Sequence, residues 1–397
     1  MQLRRVIWIA LLAAWLGFVA VSGRTERGVA HAGVSALPAA CEDAGVADST
    51  LFLIGDAGAP RAPTEPLLDA LAAEASERVR ALGAERVVIA FLGDNVYPVG
   101  LHKPDHQGRA EDERRLDAQL AVVRRSGARG YLVPGNHDWD NGGADGWEAM
   151  KRQTRFVAAR GASVVPPDGC PGPVSAALGS RLALVFLDTQ WWLHEAARPE
   201  GDGSGCAETN RAEVERALEA TLRDTGDRHA IVLGHHPLRS GGPHGARFGW
   251  KEHLFPFREM NRSLWIPVPV LGSIRHVARM LGVSPQDVPS TAYQQMIESI
   301  ERSFAAAPPL VYASGHDHDL QVLRGGRAKR FEVVSGAGSA PNLSWAYGIP
   351  GTLFAAAESG YARLDADASR AVELTIETLD ANGTLAPAFR ACLTERR

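Results

Sequence analysis

Leu51-Phe52-Leu53-Ile54-Gly55-Asp56 and Val87-Val88-Ile89-Ala90-Phe91-Leu92-Gly93-Asp94 share one plan: an apolar run, a glycine, then an aspartate. Short apolar runs closed by glycine read as buried strands, and glycine lets the chain turn sharply where such a strand ends. Between the two runs Leu67, Leu68, Leu71 and Val79 recur at helical spacing, with Thr64 as the expected N-cap and Gly83 as the stop. The plan then repeats. Tyr131-Leu132-Val133 leads into Pro134-Gly135-Asn136-His137-Asp138, Ala230–Leu233 into Gly234-His235-His236, and Leu310–Ala313 into Gly315-His316-Asp317-His318. A charged helix is expected near Glu111–Arg125, further strands at Leu182–Leu187 and Phe331–Val334, and a β-rich tail from Thr352 to Thr378. Strands separated by helical segments imply βαβ crossovers and an α/β class. Ligands in such folds gather beyond the carboxyl ends of the strands.

The rest of the composition narrows the class without naming a function. The chain has 397 residues, 45% hydrophobic and 22% charged, with 42 basic against 46 acidic side chains and a net charge of −4. These values exclude a disordered chain, a collagen-like repeat and a multi-span membrane protein. They also argue against a basic nucleic-acid-binding surface, so no nucleic-acid partner is expected.

Arg4 and Arg5 precede an uncharged apolar run from Val6 to Val21. It reads as a cleaved signal peptide or as an uncleaved signal-anchor, with a buried helix as a third alternative. Small residues permit cleavage after Ser22 or after Ala32. The expected division is a signal or anchor over 1–22, a linker over 23–49 and a catalytic domain over 50–397, with an insertion at about 245–289. In either leading case the domain lies outside the cytoplasm, tethered through residues 6–21 if the segment is retained. An oxidising compartment permits disulfides. Cys170 and Cys206 lie in Gly/Pro-rich loops and Cys41 and Cys392 near the chain ends, which suggests those two pairs out of three connectivities. Sequons occur at Asn261, Asn342 and Asn382. The insertion contains prolines that forbid a continuous spanning helix. It reads as a covering loop, with a lid or membrane-contacting lobe as the alternative.

Five predicted strand ends therefore carry metal-type ligands: Asp56, Asp94, Asn136-His137, His235-His236 and His316-Asp317-His318. Mixed Asp, Asn and His without cysteine favours harder divalent or trivalent ions over a structural zinc of the cysteine type. Adjacent residues at a strand end point in opposite directions, so His235 is the expected ligand and His236 is not. Asp138 is expected to orient His137. Trp139, Arg239 and Arg247 stay open between substrate contact and solvated surface. No Gly-x-Ser-x-Gly follows a strand, which disfavours a serine hydrolase.

The ordered set Gly-Asp-Ala-Gly (55–58), Gly-Asp-Asn-Val-Tyr (93–97), Gly-Asn-His-Asp (135–138), Gly-His-His-Pro (234–237) and Gly-His-Asp-His (315–318) resembles the calcineurin-like metallophosphoesterases. Tyr97, three residues after Asp94, makes it similar to the tartrate-resistant type of purple acid phosphatase. Asp319-Leu320-Gln321 and the His244-Gly245 pair agree with that type, whereas Ala57 stands where it usually has an aromatic residue. The resemblance covers roughly Leu51 to Leu323. It implies a four-layer αββα sandwich of two mixed β-sheets flanked by helices. It also implies a ferric ion on Asp56, Asp94, Tyr97 and His318, and a divalent ion (Fe2+, Zn2+ or Mn2+) on Asp94, Asn136, His235 and His316. Asp94 would bridge them. The implied activity is acid hydrolysis of phosphate monoesters, on a small molecule or a phosphoprotein, by a metal-bound hydroxide. His137 and His244 would steady the phosphate and protonate the leaving oxygen. A phosphodiesterase or nucleotide hydrolase on the same scaffold is the neighbouring alternative. A catalytically silent metal-binding surface protein is the remote one.

Overall fold

Each apolar run has two faces to bury, and alternation along the strand decides what covers each. The computed structural model describes residues 41, 45–61, 64–259, 264–326, 328–380 and 382–394. In strand β1 (Ala47–Ile54) Leu51 and Leu53 enter one core, while Phe52 and Ile54 enter another. In β2 (Val87–Phe91) Val88 and Ala90 join the first core, and Val87, Ile89 and Phe91 the second. A strand buried on both faces must read as an unbroken apolar run, which is why these segments stand out in the sequence.

The remaining strands are β3 (Arg129–Leu132), β4 (Ser163–Val164), β5 (Val174–Leu178), β6 (Leu182–Phe186), β7 (His229–Leu233), β8 (Val311–Ser314) and β9 (Leu320–Arg324). They are followed by β10 (Phe331–Ser335), β11 (Thr352–Ala356), β12 (Gly360–Asp367), β13 (Val372–Leu379) and β14 (Leu385–Cys392). One seven-stranded sheet runs β14-β13-β12-β1-β2-β3-β4 and the other β11-β9-β10-β8-β7-β6-β5. Both are mixed. β1 to β4 pair in parallel while β12 to β14 add antiparallel hairpins, and β6, β7, β8 and β10 are parallel with antiparallel edges.

Leu51, Ala90, Phe186, Ile231 and Ala313 share the core between the sheets. Helices α1 (Pro66–Leu82), α2 (Arg109–Ser126) and α3 (Gly146–Ala158) cover the outer face of the first sheet through Leu71, Leu120 and Phe156. Helices α4 (Gln190–Leu193), α5 (Arg211–Arg223) and α8 (Thr291–Phe304) cover the second through Trp191, Leu218 and Ile300. The two short helices α6 (Trp250–Leu254) and α7 (Ser273–Met280) belong to the insertion. This is the four-layer αββα sandwich.

Local readings shift in two places. The N-cap of α1 is Glu65, not Thr64, because Pro66 takes the first helical position, where its missing N–H costs nothing. β1 opens at Ala47, ahead of the start at Leu51 read from the apolar run. Disulfides join Cys41 to Cys392 and Cys170 to Cys206. The leader over 1–22, most of the linker over 23–49 and the sequon Asn261 lie outside the described residues. Among the described residues no helix is long and apolar enough to cross a membrane.

Candidate metal centre

The ligand-bearing loops follow β1, β2, β3, β7 and β8, all parallel strands, so their carboxyl ends gather at one end of the sandwich. The chain is bent hard there. Asp56, Asp94 and His316 take φ values of 58°, 54° and 70°. Such left-handed backbone costs a non-glycine residue about 1–3 kcal/mol and persists only where the surroundings impose it. The glycines prove to serve close approach as well as turning. A Cβ on Gly135 would lie 2.3 Å from Asp94 Oδ1, and one on Gly93 would lie 2.4 Å from His235 Nδ1.

The seven expected ligands come together in two groups. The donor atoms of Asp56, Asp94 and His318 lie within 4.8 Å of one another. Tyr97 Oη is 3.0 Å from both Asp56 Oδ1 and His318 Nε2. In the other group Asn136 Oδ1 is 3.1 Å from both His235 Nε2 and His316 Nδ1, and those two nitrogens are 3.2 Å apart. Asp94 Oδ1 lies 3.4 Å from His235 Nε2, which puts this carboxylate between the groups.

Backbone carbonyls set the direction of each imidazole. His235 Nδ1 donates to Leu92 O at 2.8 Å, His318 Nδ1 to Asn342 O at 2.8 Å and His316 Nε2 to Gln286 O at 2.9 Å. A carbonyl only accepts, so in each neutral ring the other nitrogen turns a lone pair to the centre. Asn136 Nδ2 donates to Asn141 Oδ1 at 3.2 Å, which turns its amide oxygen inward. With His235 and His316 neutral, the lone pairs of Asn136, His235 and His316 converge with no proton between them. That arrangement repels itself and suits a cation.

The other group carries the complementary strain. Burial, reinforced by the charges of Asp56 and Asp94, pushes the Tyr97 phenol well above its ordinary range. Burial opposes ionisation of Asp94 too, but His235, His137 and the His137 N–H hold its carboxyl at about 2. His318 is raised to about 9: burial works against this, and the Asp56 hydrogen bond and charge outweigh it. Two carboxylates, a phenol and an imidazole form an oxygen-rich set fit for a hard ion, and the Asn136–His235–His316 set fits a borderline one.

His236 lies beside His235 and His316. Both its nitrogens are engaged, Nδ1 with Thr189 Oγ1 and Nε2 with Gln286 Oε1, each at 2.8 Å. Burial and the neighbouring His235 push it well below the usual imidazole range, so it stays neutral and structural. Asp138 does not touch the His137 ring. It accepts from the N–H groups of Gly135, Asn95 and Val96 and from the side chains of Asn95 and Gln153, tying two ligand loops together. His137 is oriented instead by Pro98 O, 2.6 Å from Nδ1, with Nε2 3.8 Å from Asp94 Oδ2. Trp139 is fully buried and donates to Asp188, so it is a core residue. Arg239 donates to Arg324 O, and Arg247 is exposed.

The insertion reaches the centre. The His244 ring centroid lies 3.9 Å from that of His316, the rings tilted by 36°, and its Nδ1 lies 3.0 Å from Asp287 Oδ1. Arg279 grips Asp287 through three contacts of 2.6–3.1 Å. Burial disfavours the Asp287 carboxylate, yet the His244 and Arg279 hydrogen bonds lower its pKa. Gln286, Asp287 and Arg279 escaped the sequence reading because they meet the centre through contacts between loops distant in sequence. A cavity of about 400 Å³ opens beside the centre, lined by His244, Arg275, Arg279, His316, His318 and Trp345 among others.

No protein-family model and no curated protein matches the chain. Among solved structures, 86% of the chain aligns with 53% of purple acid phosphatase PPD1 from yellow lupin (Lupinus luteus) seeds, at 12% identity and TM-score 0.47. GAP50, the anchor in the inner membrane complex of Plasmodium, aligns over 88% of this chain and 90% of its own at 15% identity and TM-score 0.50. The likeness to GAP50 is one of fold.

Proposed function

We propose that this protein is an extracytoplasmic, metal-dependent phosphatase acting on phosphate monoesters. The reading rests on one observation above all: the ligand atoms of six side chains on five strand-end loops gather around the Asp94 carboxylate. The two disulfides support a location outside the cytoplasm. A ferric ion would be held by Asp56, Asp94, Tyr97 and His318, and Fe2+, Zn2+ or Mn2+ by Asp94, Asn136, His235 and His316. Bound there, two cations polarise a phosphate ester and make water nucleophilic at moderate pH.

The chain's own residues do the rest. Asp94 keeps its charge between the two ligand sets. His137, its Nδ1–H fixed on Pro98 O, would donate an Nε2–H to a phosphate oxygen as the imidazolium. His244 lines the cavity with its Nδ1 proton held by Asp287, which leaves Nε2 to hand a proton to the departing alkoxide. Arg279 keeps Asp287 in place. General acid help of this kind is worth ~10²–10⁴ in rate.

Metal analysis, visible absorption and turnover test the proposal together. Two ions per chain, a tyrosinate-to-iron band lost in Tyr97→Phe, and faster hydrolysis of p-nitrophenyl phosphate than of its bis-ester are expected. A strong bis-ester preference would move the chain to the diesterases. The description of GAP50 names an anchor and no activity, so metal-loaded protein without turnover would make this a binding protein on the same fold.

A further inference from the structure

The insertion carries a second surface that the centre does not use. Among the described residues, every exposed large apolar side chain other than Val46 and Val174 lies between Trp250 and Val283. Leu281 is 75% exposed, Val283 74%, Leu271 66%, Ile274 61%, Trp265 53% and Ile266 50%. A water-soluble surface does not concentrate such residues in one lobe without something to cover them.

Among the described residues, the exposed charges there are basic. Among described side chains from Arg247 to Val283, the exposed ones are apolar, proline or basic, the basic ones being Arg247, Lys251 and Arg275. Glu252 is buried, with its carboxylate turned to the Gly249 N–H and the Tyr347 hydroxyl. We propose that this lobe docks on the headgroup region of an anionic bilayer, with Trp265, Ile266, Ile274 and Leu281 entering the acyl boundary. Tryptophan and aliphatic side chains rimmed by Lys and Arg are what such an interface takes up. A second copy is a poorer occupant, because a two-fold contact sets each basic group against its own kind. Arg275 and Arg279 of α7 also line the cavity beside the centre, so docking places the cavity next to the lipid surface. The inference stands on surface chemistry and does not depend on the phosphatase reading.

Peptide-resolved hydrogen exchange on the full chain separates this lobe from the leader, which binds lipid on its own account if retained. The probes are vesicles of phosphatidylcholine, with and without phosphatidylglycerol. Slower exchange at 264–283 on the anionic vesicles only is expected. Ile274→Asp with Leu281→Asp abolishes it, and Lys251→Gln weakens it roughly fivefold. Both variants keep the far-UV circular dichroism and the thermal midpoint of the parent chain, which shows that they fold. Unchanged exchange at 264–283 would overturn the proposal, and so would equal protection on neutral vesicles. Protection that rises with protein concentration without lipid would assign the surface to a second copy.

Discussion

The strand-end loops and the 245–289 insertion build the same site by opposite means. The loops are short, glycine-bearing and buried: Asp56, His235 and Asp317 have no exposed surface, and their positions are fixed by hydrogen bonds to strand carbonyls and N–H groups. The insertion has only the short helices α6 and α7; among the described residues Gln286 touches a ligand, Asp287 acts through His244, and Arg275 and Arg279 line the cavity beside them. Its other side faces water with apolar residues. Ligands that must hold an ion to a fraction of an ångström sit on the rigid scaffold, while groups that meet variable substrates sit on the part free to differ.

The largest expected effect breaks the scaffold side of this contrast. Asp94→Asn removes the carboxylate shared by both ligand groups. Turnover should fall on the order of 10³-fold, with metal content read in parallel. A variant keeping two ions and near-normal kcat would refute the central placement of Asp94. Asp287→Asn tests the insertion side. It keeps an acceptor near His244 but loses the charge that holds its proton, so a loss of about 10–100-fold is expected, with the acid limb of the pH–rate profile displaced. An unaltered profile would show that the insertion merely covers the centre.

The smallest effect concerns the insertion alone. Burial, aided by the charge of His276 at His253 and by Arg275 and Arg279 at His276, holds both imidazoles down at about 4. Above the ordinary imidazole value of roughly 6.5 neither the packed nor the opened lobe binds a proton. Between there and about 4 only the opened lobe does, so its stability falls as pH drops. Exchange at 250–280, corrected for its intrinsic rate, should quicken by at least about tenfold from pH 7.5 to 5, while peptides of β1 and β7 hold. Equal quickening in both regions would mean that the lobe is no separate unit.

The same contrast explains what was legible in the sequence. Asp56, Asp94 and His316 could be read because an apolar strand, a glycine and a ligand follow one another along the chain. Tyr97 and Asn136 followed from the motif strings around them. Asp138 was misread because its neighbour along the chain is His137, whereas its partners, Asn95 and Val96, arrive from another loop. Asp287 could not be read at all: it meets His244 across 43 residues of sequence. Local patterns report strands and turns, and contacts across loops leave no such trace.

The Cys41–Cys392 bond, which spans 351 residues of separation, makes the domain nearly a ring. A protease that cuts the exposed segment at 264–271 would open that ring without dividing it. The nicked protein would run as one piece on a non-reducing gel and as two once reduced. Damage to the most accessible part of the molecule would then leave all five ligand loops covalently in one body.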